Sequence, residues 1–369
     1  MKKEKVIIEL SGGVDSSVAA YILKKEDYEV IAVTFNIWRA DACYDGDKNC
    51  CNEESVIYAK RAADYLNIPH YTICLKDIFY EKVVKDFIEN YKTGITPNPC
   101  VKCNEHIKFL AVKNKLAHLA PFKLATGHYA RIIYDKKTNS HKLYKGVDEK
   151  KDQSYFLYCL KNDELKNILF PLGNLTKEKV REIAKREGLP THSKKESQEI
   201  CFTPGADYKK FFEIINIKSK PGNIIDLHGK KLGTHNGILN YTIGQRRGLG
   251  ISSAKPLYVI SMDAKINSVI VGEDKDLFTN KVYIENINWI VGAPHVVPLQ
   301  ANIKIRYNMK EQPAVITIIG KNKAEILFEK PVRAATPGQS AVFYDGGEVL
   351  GGGIIERSSF VAPSHPRIK

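Results

Sequence analysis

Short apolar runs alternate with longer segments of helical period through the first third of the chain. VIIEL (6–10) reads as a buried strand and residues 14–25 as a helix; EVIAVTF (29–35) is a second strand and residues 54–66 a second helix. HYTICL (70–75) follows, then a helix over 77–91. After a loop carrying two cysteines, residues 105–118 read as helical and FKLATG (122–127) as another short strand. Strands alternating with helices at this spacing predict an α/β fold with a doubly wound parallel sheet. Ligands of such sheets bind beyond the carboxyl ends of the strands.

The texture changes near Ala130. RIIYDKKTNSHKLYKG places alternating apolar residues on either side of a polar turn, the pattern of a hairpin. Two helices are expected over 163–170 and 176–187, the second stopped by Gly188 and Pro190. From about Asn223 the helical period is lost, and Gly and Pro punctuate KPLYVISM, SVIVGE, AVITIIG and AEILFE. These suggest small β-rich modules. The resulting plan is a catalytic α/β domain (1–204), a small central domain (205–275) and a C-terminal β-barrel (276–369).

At 369 residues the chain has room for two or three domains, and 43% hydrophobic with 27% charged residues describes an ordinary folded protein. Lys plus Arg number 56 against 42 Asp plus Glu, a net charge of +14 that favours a polyanionic partner such as nucleic acid. Eight cysteines in a chain of this length do not make a disulfide scaffold. The apolar run near the N-terminus is broken by Glu9 and too short for a signal segment, and no stretch has the apolar length of a membrane span. A cytosolic, membrane-free protein with reduced thiols is expected, which raises metal, redox or nucleophilic roles for cysteine.

The chemistry begins at SGGVDSS (11–17), between the first strand and the first helix. Gly12 and Gly13 let backbone N–H groups approach a ligand closely. Ser11, Ser16 and Ser17 add hydroxyls, and the helix N-terminus adds positive potential. Such a loop suits the pyrophosphate of a nucleotide. It lacks the lysine of a G-x-x-x-x-G-K-[ST] phosphate loop. Asp15 either helps place Mg²⁺ on the phosphates or caps the helix.

SGGVDSS resembles the loop of the PP-loop ATP pyrophosphatase superfamily, whose members cleave ATP between the α- and β-phosphates and differ in what they adenylate. Further along, TPNPCVKCN (96–104), ATGHYAR (125–131), KDQSYFLY (151–158), ICF (200–202), YTIGQRRGLG (241–250) and TPGQSAVFY (336–344) occur in order over nearly the whole chain. Together they resemble the bacterial tRNA-specific 2-thiouridylases. That resemblance implies replacement of O2 of the anticodon wobble uridine by sulfur in tRNAs for lysine, glutamate and glutamine, with ATP consumed, Mg²⁺ as cofactor and a cysteine desulfurase or a sulfur-relay protein as donor. It implies a persulfide on Cys201, Cys103 as the nucleophilic partner, and a transient Cys103–Cys201 disulfide. It puts Glu9, Leu10, Ser11, Gly12, Gly13, Val14, Asp15, Ser16, Phe35 and Gly127 against ATP, although a Phe at the position of Phe35 equally suits a core. It puts Asn98, Pro99, Cys100, His128, Lys151, Asp152, Gln153, Arg306, Tyr307 and Gln339 against tRNA, with Arg246 and Arg247 offering phosphate contacts. His128 is also the kind of residue that titrates near neutrality as a general base, or else a hydrogen-bonded structural histidine.

Two positions depart from the family pattern. Some members carry Asp where this chain has Cys100, so that Cys100, Cys103 and Cys201 together supply three thiolates, a set that suits either an iron–sulfur cluster or a metal-free persulfide route. Glu9 stands where the family has a small residue, and a carboxylate at an anion pocket repels phosphate unless it points away or meets Mg²⁺ or a lysine. Cys43, Cys50 and Cys51 fit no spacing of a known site, and Cys74 and Cys159 lie in apolar runs as expected core residues. The rival readings are another PP-loop adenylating enzyme acting on a small molecule, which would not need Cys103 or Cys201, and a non-catalytic tRNA-binding protein.

Overall fold

The computed structural model describes residues 3–37, 53–194, 200–203, 207–292 and 298–357. Cys43, Cys50 and Cys51 lie outside them. β1 (Lys5–Glu9), β2 (Glu29–Asn36), β3 (His70–Cys74), β4 (Lys123–Ala125) and, further on, β7 (Ile168–Leu169) form one parallel sheet in the order β3-β2-β1-β4-β7. The buried-strand reading of VIIEL is visible in its packing. Ile7 enters the apolar cluster on one face, and Val6 and Ile8 enter the cluster on the other, as the two-residue period of a strand requires. Helix α1 (Val14–Lys25), helix α2 (Glu53–Tyr65) and a helix at Lys177–Arg186 cover the second face. A helix over 76–92 and another over 99–115 cover the first.

Two local expectations are corrected and one helix is added. The cysteine pair is not in a loop, because the helix begins at Pro99 and takes in both Cys100 and Cys103. Proline at the first helical position has the right φ and lacks only an N–H that would have no partner there. The helix expected over 163–170 is a single turn, Asn162–Leu165, followed by β7, which pairs Leu124↔Ile168 and Ala125↔Leu169. Pro171 leaves too little chain for a longer helix. A helix at Tyr208–Ile214 gave no clear periodic signal, since its length is only two turns. Both long helices widen locally to i→i+5 turns, at Tyr80–Val84 and Asn104–Ala111.

The predicted hairpin forms as β5 (Ala130–Asp135) and β6 (Ser140–Lys145), in full antiparallel register from Ala130↔Lys145 to Asp135↔Ser140. It leaves the parallel sheet and pairs with the far end of the chain through Glu348↔Tyr144. The central strands β8 (Gly222–Ile225), β9 (Lys231–His235), β10 (Tyr258–Asp263) and β11 (Ser268–Gly272) make a separate sheet. The last six, β12 (Phe278–Trp289), β13 (Leu299–Lys304), β14 (Gln312–Gly320), β15 (Lys323–Arg333), β16 (Ser340–Asp345) and β17 (Glu348–Ile355), form an antiparallel barrel closed by the pairing of β12 with β17.

The segment 152–160 is the seam between the α/β domain and the barrel. Tyr155 donates from its hydroxyl to the Ser340 carbonyl at 2.9 Å, and Asn288 donates to the Tyr158 and Leu160 carbonyls at 2.6 and 2.8 Å. Val342, Tyr344 and Val349 of the barrel share one apolar cluster with Ile7 and Phe35 of the parallel sheet. Asn288→Ala removes both hydrogen bonds and leaves two carbonyls unsatisfied, so a loss of about 2 kcal/mol is expected. Denaturant titration of the variant against the parent chain checks it.

Candidate active site

β2 leaves β1 on one side and β4 pairs it on the other, so the chain reverses direction across the sheet at β1. This is the switch point at which an open α/β sheet leaves a crevice. The loop 11–16 emerges there. Leu10 is fully buried, donates its N–H to the Val33 carbonyl at 2.8 Å and accepts from the Thr34 hydroxyl at 2.7 Å, which fixes where the loop starts. Gly12 has φ +72°, and a Cβ on it would lie 2.3 Å from the Ser55 carbonyl oxygen. Gly13 is the extended N-cap of α1 and offers no side chain to the first N–H groups. Ser16 and Ser17 both donate to the Gly13 carbonyl, at 3.2 and 2.9 Å, and Ser16 accepts the Ser11 N–H at 3.2 Å. Val14 is buried.

Gly127, just after β4, completes the crevice. A Cβ there would stand 2.9 Å from the Ser16 nitrogen, so only glycine permits this approach to the first turn of α1. Phe35, at the end of β2, is 7% exposed and packs in the apolar cluster, the core placement. The Asp15 carboxylate receives the Lys177 ammonium at 2.7 and 2.8 Å and the Tyr129 hydroxyl at 2.7 Å. It does not cap the helix, which has no side-chain cap. Lys177 gave no signal in the sequence: it is an ordinary first-turn lysine whose partner lies far away in the chain.

Cys103 lies on the helix over 99–115, within electrostatic reach of Glu9 at the end of β1 and of Cys201 on the turn 200–203. That turn is closed by Thr203, whose N–H and hydroxyl both donate to the Ile200 carbonyl, at 3.0 and 2.9 Å. Phe202, 4% exposed, anchors it among Phe79, Phe87 and Phe211, with ring centroids 5.9, 5.2 and 5.2 Å away. Burial pushes Cys103 well above the usual thiol value, with Lys108 the main opposing influence and Cys201, Glu9 and Cys100 adding to the rise. Cys201 is pushed up to about 12 by burial, then by Cys100, against Lys108. Burial also raises Cys100, again opposed by Lys108. Cys100 and Cys201 keep solvent-exposed surface, yet enough protein surrounds each that lost hydration governs its thiol.

Lys108 thus acts electrostatically on all three thiols, and it pairs with Glu9 at 3.1 Å. Burial disfavours its charge, but the Glu9 carboxylate, with Cys103 and Cys100, outweighs that and holds it protonated. The carboxylate that looked out of place beside an anion pocket thus has a lysine partner. The three cysteines do not form a ligand set. Among the described residues, no group of three His, Cys, Asp or Glu side chains is disposed to hold a metal ion. The iron–sulfur expectation does not fit this arrangement.

Most residues expected to touch RNA are engaged within the protein. Asp152 is buried and accepts the Gly146 and Ser154 N–H groups at 3.0 and 3.1 Å and the Ser154 hydroxyl at 2.9 Å. Gln153 accepts the Tyr129 N–H at 3.0 Å. Gln339 donates to the Thr96 and Pro97 carbonyls at 2.9 and 3.2 Å and so ties the barrel to the lead-in of the cysteine helix. Arg306 donates to the Ala334 carbonyl at 2.7 Å and the Thr336 hydroxyl at 2.5 Å. Tyr307 packs on Phe156, with centroids 4.6 Å apart. Pro99 is buried, Asn98 caps the helix by position only, and Lys151 is half-buried. Arg246 and Arg247 belong to the turn after β9, where the Arg247 carbonyl accepts from Gln245 at 2.9 Å. Cys74 is exposed at the end of the edge strand β3 rather than in a core, and Cys159 is partly buried.

His128 is buried and hydrogen-bonded through Nδ1 to the Thr126 hydroxyl at 2.7 Å. Burial first, then the Lys108 charge, lowers its pKa well below 6.5, so it is neutral near pH 7 and is not poised as a base there. The unfolded chain binds this proton more readily than the folded one, so the contribution of His128 to stability falls as pH drops below about 6.5. Stability should decline between pH 7 and 5 more steeply in the parent than in His128→Gln, by up to about 1.4 kcal/mol per pH unit. Denaturant titrations across that range measure the difference.

Three family models match successive parts of the chain. A family model described as a tRNA methyl transferase HUP domain matches residues 4–205, one described as a tRNA methyl transferase PRC-barrel domain matches 209–273, and an aminomethyltransferase beta-barrel domain model matches 279–355. The chain is 49% identical over 356 residues to tRNA-specific 2-thiouridylase MnmA 1 of Caldanaerobacter subterraneus subsp. tengcongensis, covering 96% of this chain and 98% of that one. It is 48% identical over the same shares to MnmA 2 of Thermoanaerobacter sp. strain X514, and 44% identical to MnmA of Clostridioides difficile strain 630, over 96% of this chain and 99% of that one. With relatives at nearly half identity over 96% of this chain and almost all of theirs, the chain belongs to the tRNA-specific 2-thiouridylase family.

Proposed function

We propose that this protein is an ATP-dependent tRNA-uridine 2-sulfurtransferase acting on the wobble uridine of the lysine, glutamate and glutamine tRNAs. The observation that supports this reading is that Cys103 and Cys201 both lie under the charge of Lys108, which pairs with Glu9 two residues before the loop at Ser11. The relatives named above are 2-thiouridylases by name, and although two of the family models are described by methyl transfer, paired thiols suit sulfur transfer.

Uracil C2 resists substitution because its oxygen is a poor leaving group. Gly12, Gly13, Ser11 and Ser16 hold the polyphosphate by backbone N–H groups and hydroxyls, and Gly127 and Leu10 keep the loop in place. O2 of the uridine attacks the α-phosphate, pyrophosphate leaves, and O2 now carries AMP. The terminal sulfur of a Cys201 persulfide bonds to C2, and AMP departs with the oxygen. The Cys103 thiolate then attacks the Cys201 sulfur, which releases 2-thiouridine and leaves a Cys103–Cys201 disulfide. The sulfane sulfur gains the two electrons that the two thiols lose, and an external dithiol restores them. A cysteine desulfurase or sulfur-relay protein reloads Cys201. Bound with the nucleotide, Mg²⁺ would neutralise phosphate charge; Asp15 and Glu9 each pair with a lysine.

With ATP, Mg²⁺, unmodified glutamate tRNA and a persulfide-generating desulfurase, wild type should form 2-thiouridine detectable by mass spectrometry. Cys103→Ser and Cys201→Ser should each lose at least about a thousandfold of that activity. Full activity in Cys201→Ser would favour a different adenylating enzyme, and tight tRNA binding with no release of pyrophosphate would favour a binding protein.

A further inference from the structure

We propose that Lys108 is a positioning residue for the thiol chemistry, its ammonium shared between Glu9 at the end of β1 and the cysteines of its own helix, so that the charge on residue 9 sets how readily Cys103 becomes a thiolate. This rests on the reading of Cys103 as the reacting thiol.

The geometry begins with the helix. In an α-helix, at about 100° per residue, side chains five apart point in different directions. The helix bearing the cysteines widens to i→i+5 turns over Asn104–Ala111, which brings residues five apart back towards one face. Cys103 and Lys108 are five apart. Lys108 then reaches across to Glu9 with an Nζ–Oε2 distance of 3.1 Å, and the two side chains are 25% and 14% exposed. The titratable groups that interact electrostatically with Lys108 come from four places: Glu9 from β1, Cys100 and Cys103 from its own helix, Cys201 from the turn 200–203, and His128 from the segment after β4. His128 is neutral near pH 7, so the ionisable claimants on the lysine are one carboxylate and three thiols.

One cation has two kinds of partner here. While Glu9 is ionised, its charge cancels that of Lys108, and a thiolate on Cys103 gains little. With the carboxylate neutralised, the full charge of Lys108 falls to the thiols. Glu9 is also the last residue of β1, two positions before Ser11, so the same carboxylate borders the phosphate loop. The pair is therefore a physical link between the nucleotide crevice and the sulfur-transfer helix.

Alkylation by iodoacetamide of the full-length chain, followed site by site with mass spectrometry from pH 6.5 to 10, tests this without ATP or tRNA. Cys103 should react about tenfold more slowly at pH 8 in Lys108→Gln, with its apparent pKa raised by about one unit. Lys108→Arg should stay within a few-fold of the parent. The isosteric Glu9→Gln should shift Cys103 the other way, towards faster reaction and a lower apparent pKa. Cys74, exposed on the edge of the sheet, is the internal control and should keep one rate throughout. An unchanged Cys103 profile in Lys108→Gln would overturn the proposal. So would acceleration of Cys103 in both Lys108→Gln and Glu9→Gln, the mark of loosened packing rather than redirected charge. Loss of thiolation with these shifts intact would count against the proposed function and leave the role of Lys108 standing.

Discussion

The ion pair between Glu9 and Lys108 joins the two halves of the chemistry. Glu9 ends the central strand of the parallel sheet, beside the loop that cradles phosphate, and Lys108 belongs to the helix that carries Cys100 and Cys103. Taken from water separately, each charge would be expensive. Together they are tolerable, and removing one partner of this partly buried pair is destabilising because the other is left without its counter-charge. The pair therefore fixes the distance between the helix and the strand end. On the proposed function, a nucleotide site and a thiol site acting on one uridine need that spacing.

Two further contacts hold the remaining parts in register. The aromatic cluster of Phe79, Phe87, Phe202 and Phe211 pins the turn of Cys201 to the helix preceding the cysteine helix. The seam at 152–160 locks the α/β domain to the barrel through Tyr155, Tyr158 and Asn288. Gln339 reaches from the barrel to Thr96 and Pro97, directly ahead of Pro99. The barrel thus braces the start of the cysteine helix. Residues that read in the sequence as RNA contacts, among them Asp152, Gln153, Arg306 and Gln339, are hydrogen-bonded within this frame.

The alternation of apolar runs and helical segments made the parallel sheet legible, because a strand buried on both faces must be continuously apolar, as Val6, Ile7 and Ile8 are. The need for glycine in and around this loop was legible for a similar reason, since Gly12 and Gly127 occupy places where a Cβ would collide with backbone. Charge pairing was not legible. Glu9 announced that it needed a partner, but nothing local pointed to Lys108, and nothing at all pointed to the pairing of Lys177 with Asp15. Tertiary contacts chose those lysines from a chain that has many. The helical start at Pro99 was missed because Pro-Asn-Pro resembles a turn as much as an N-terminus. β7 was missed because a two-residue strand has no period to read. The hairpin was read correctly, but its docking on the barrel depends on a pairing with Glu348 that local sequence does not encode.

The central claim is that the phosphate loop activates the same oxygen that the thiols replace. It is tested most directly with a glutamate tRNA whose wobble uridine carries ¹⁸O at O2, thiolated in a single turnover by wild-type protein preloaded with persulfide. Mass spectrometry of the released AMP should find the label there, one ¹⁸O for each 2-thiouridine formed. Thiolated tRNA accompanied by unlabelled AMP, with the ¹⁸O released to water or found in pyrophosphate, would contradict the account.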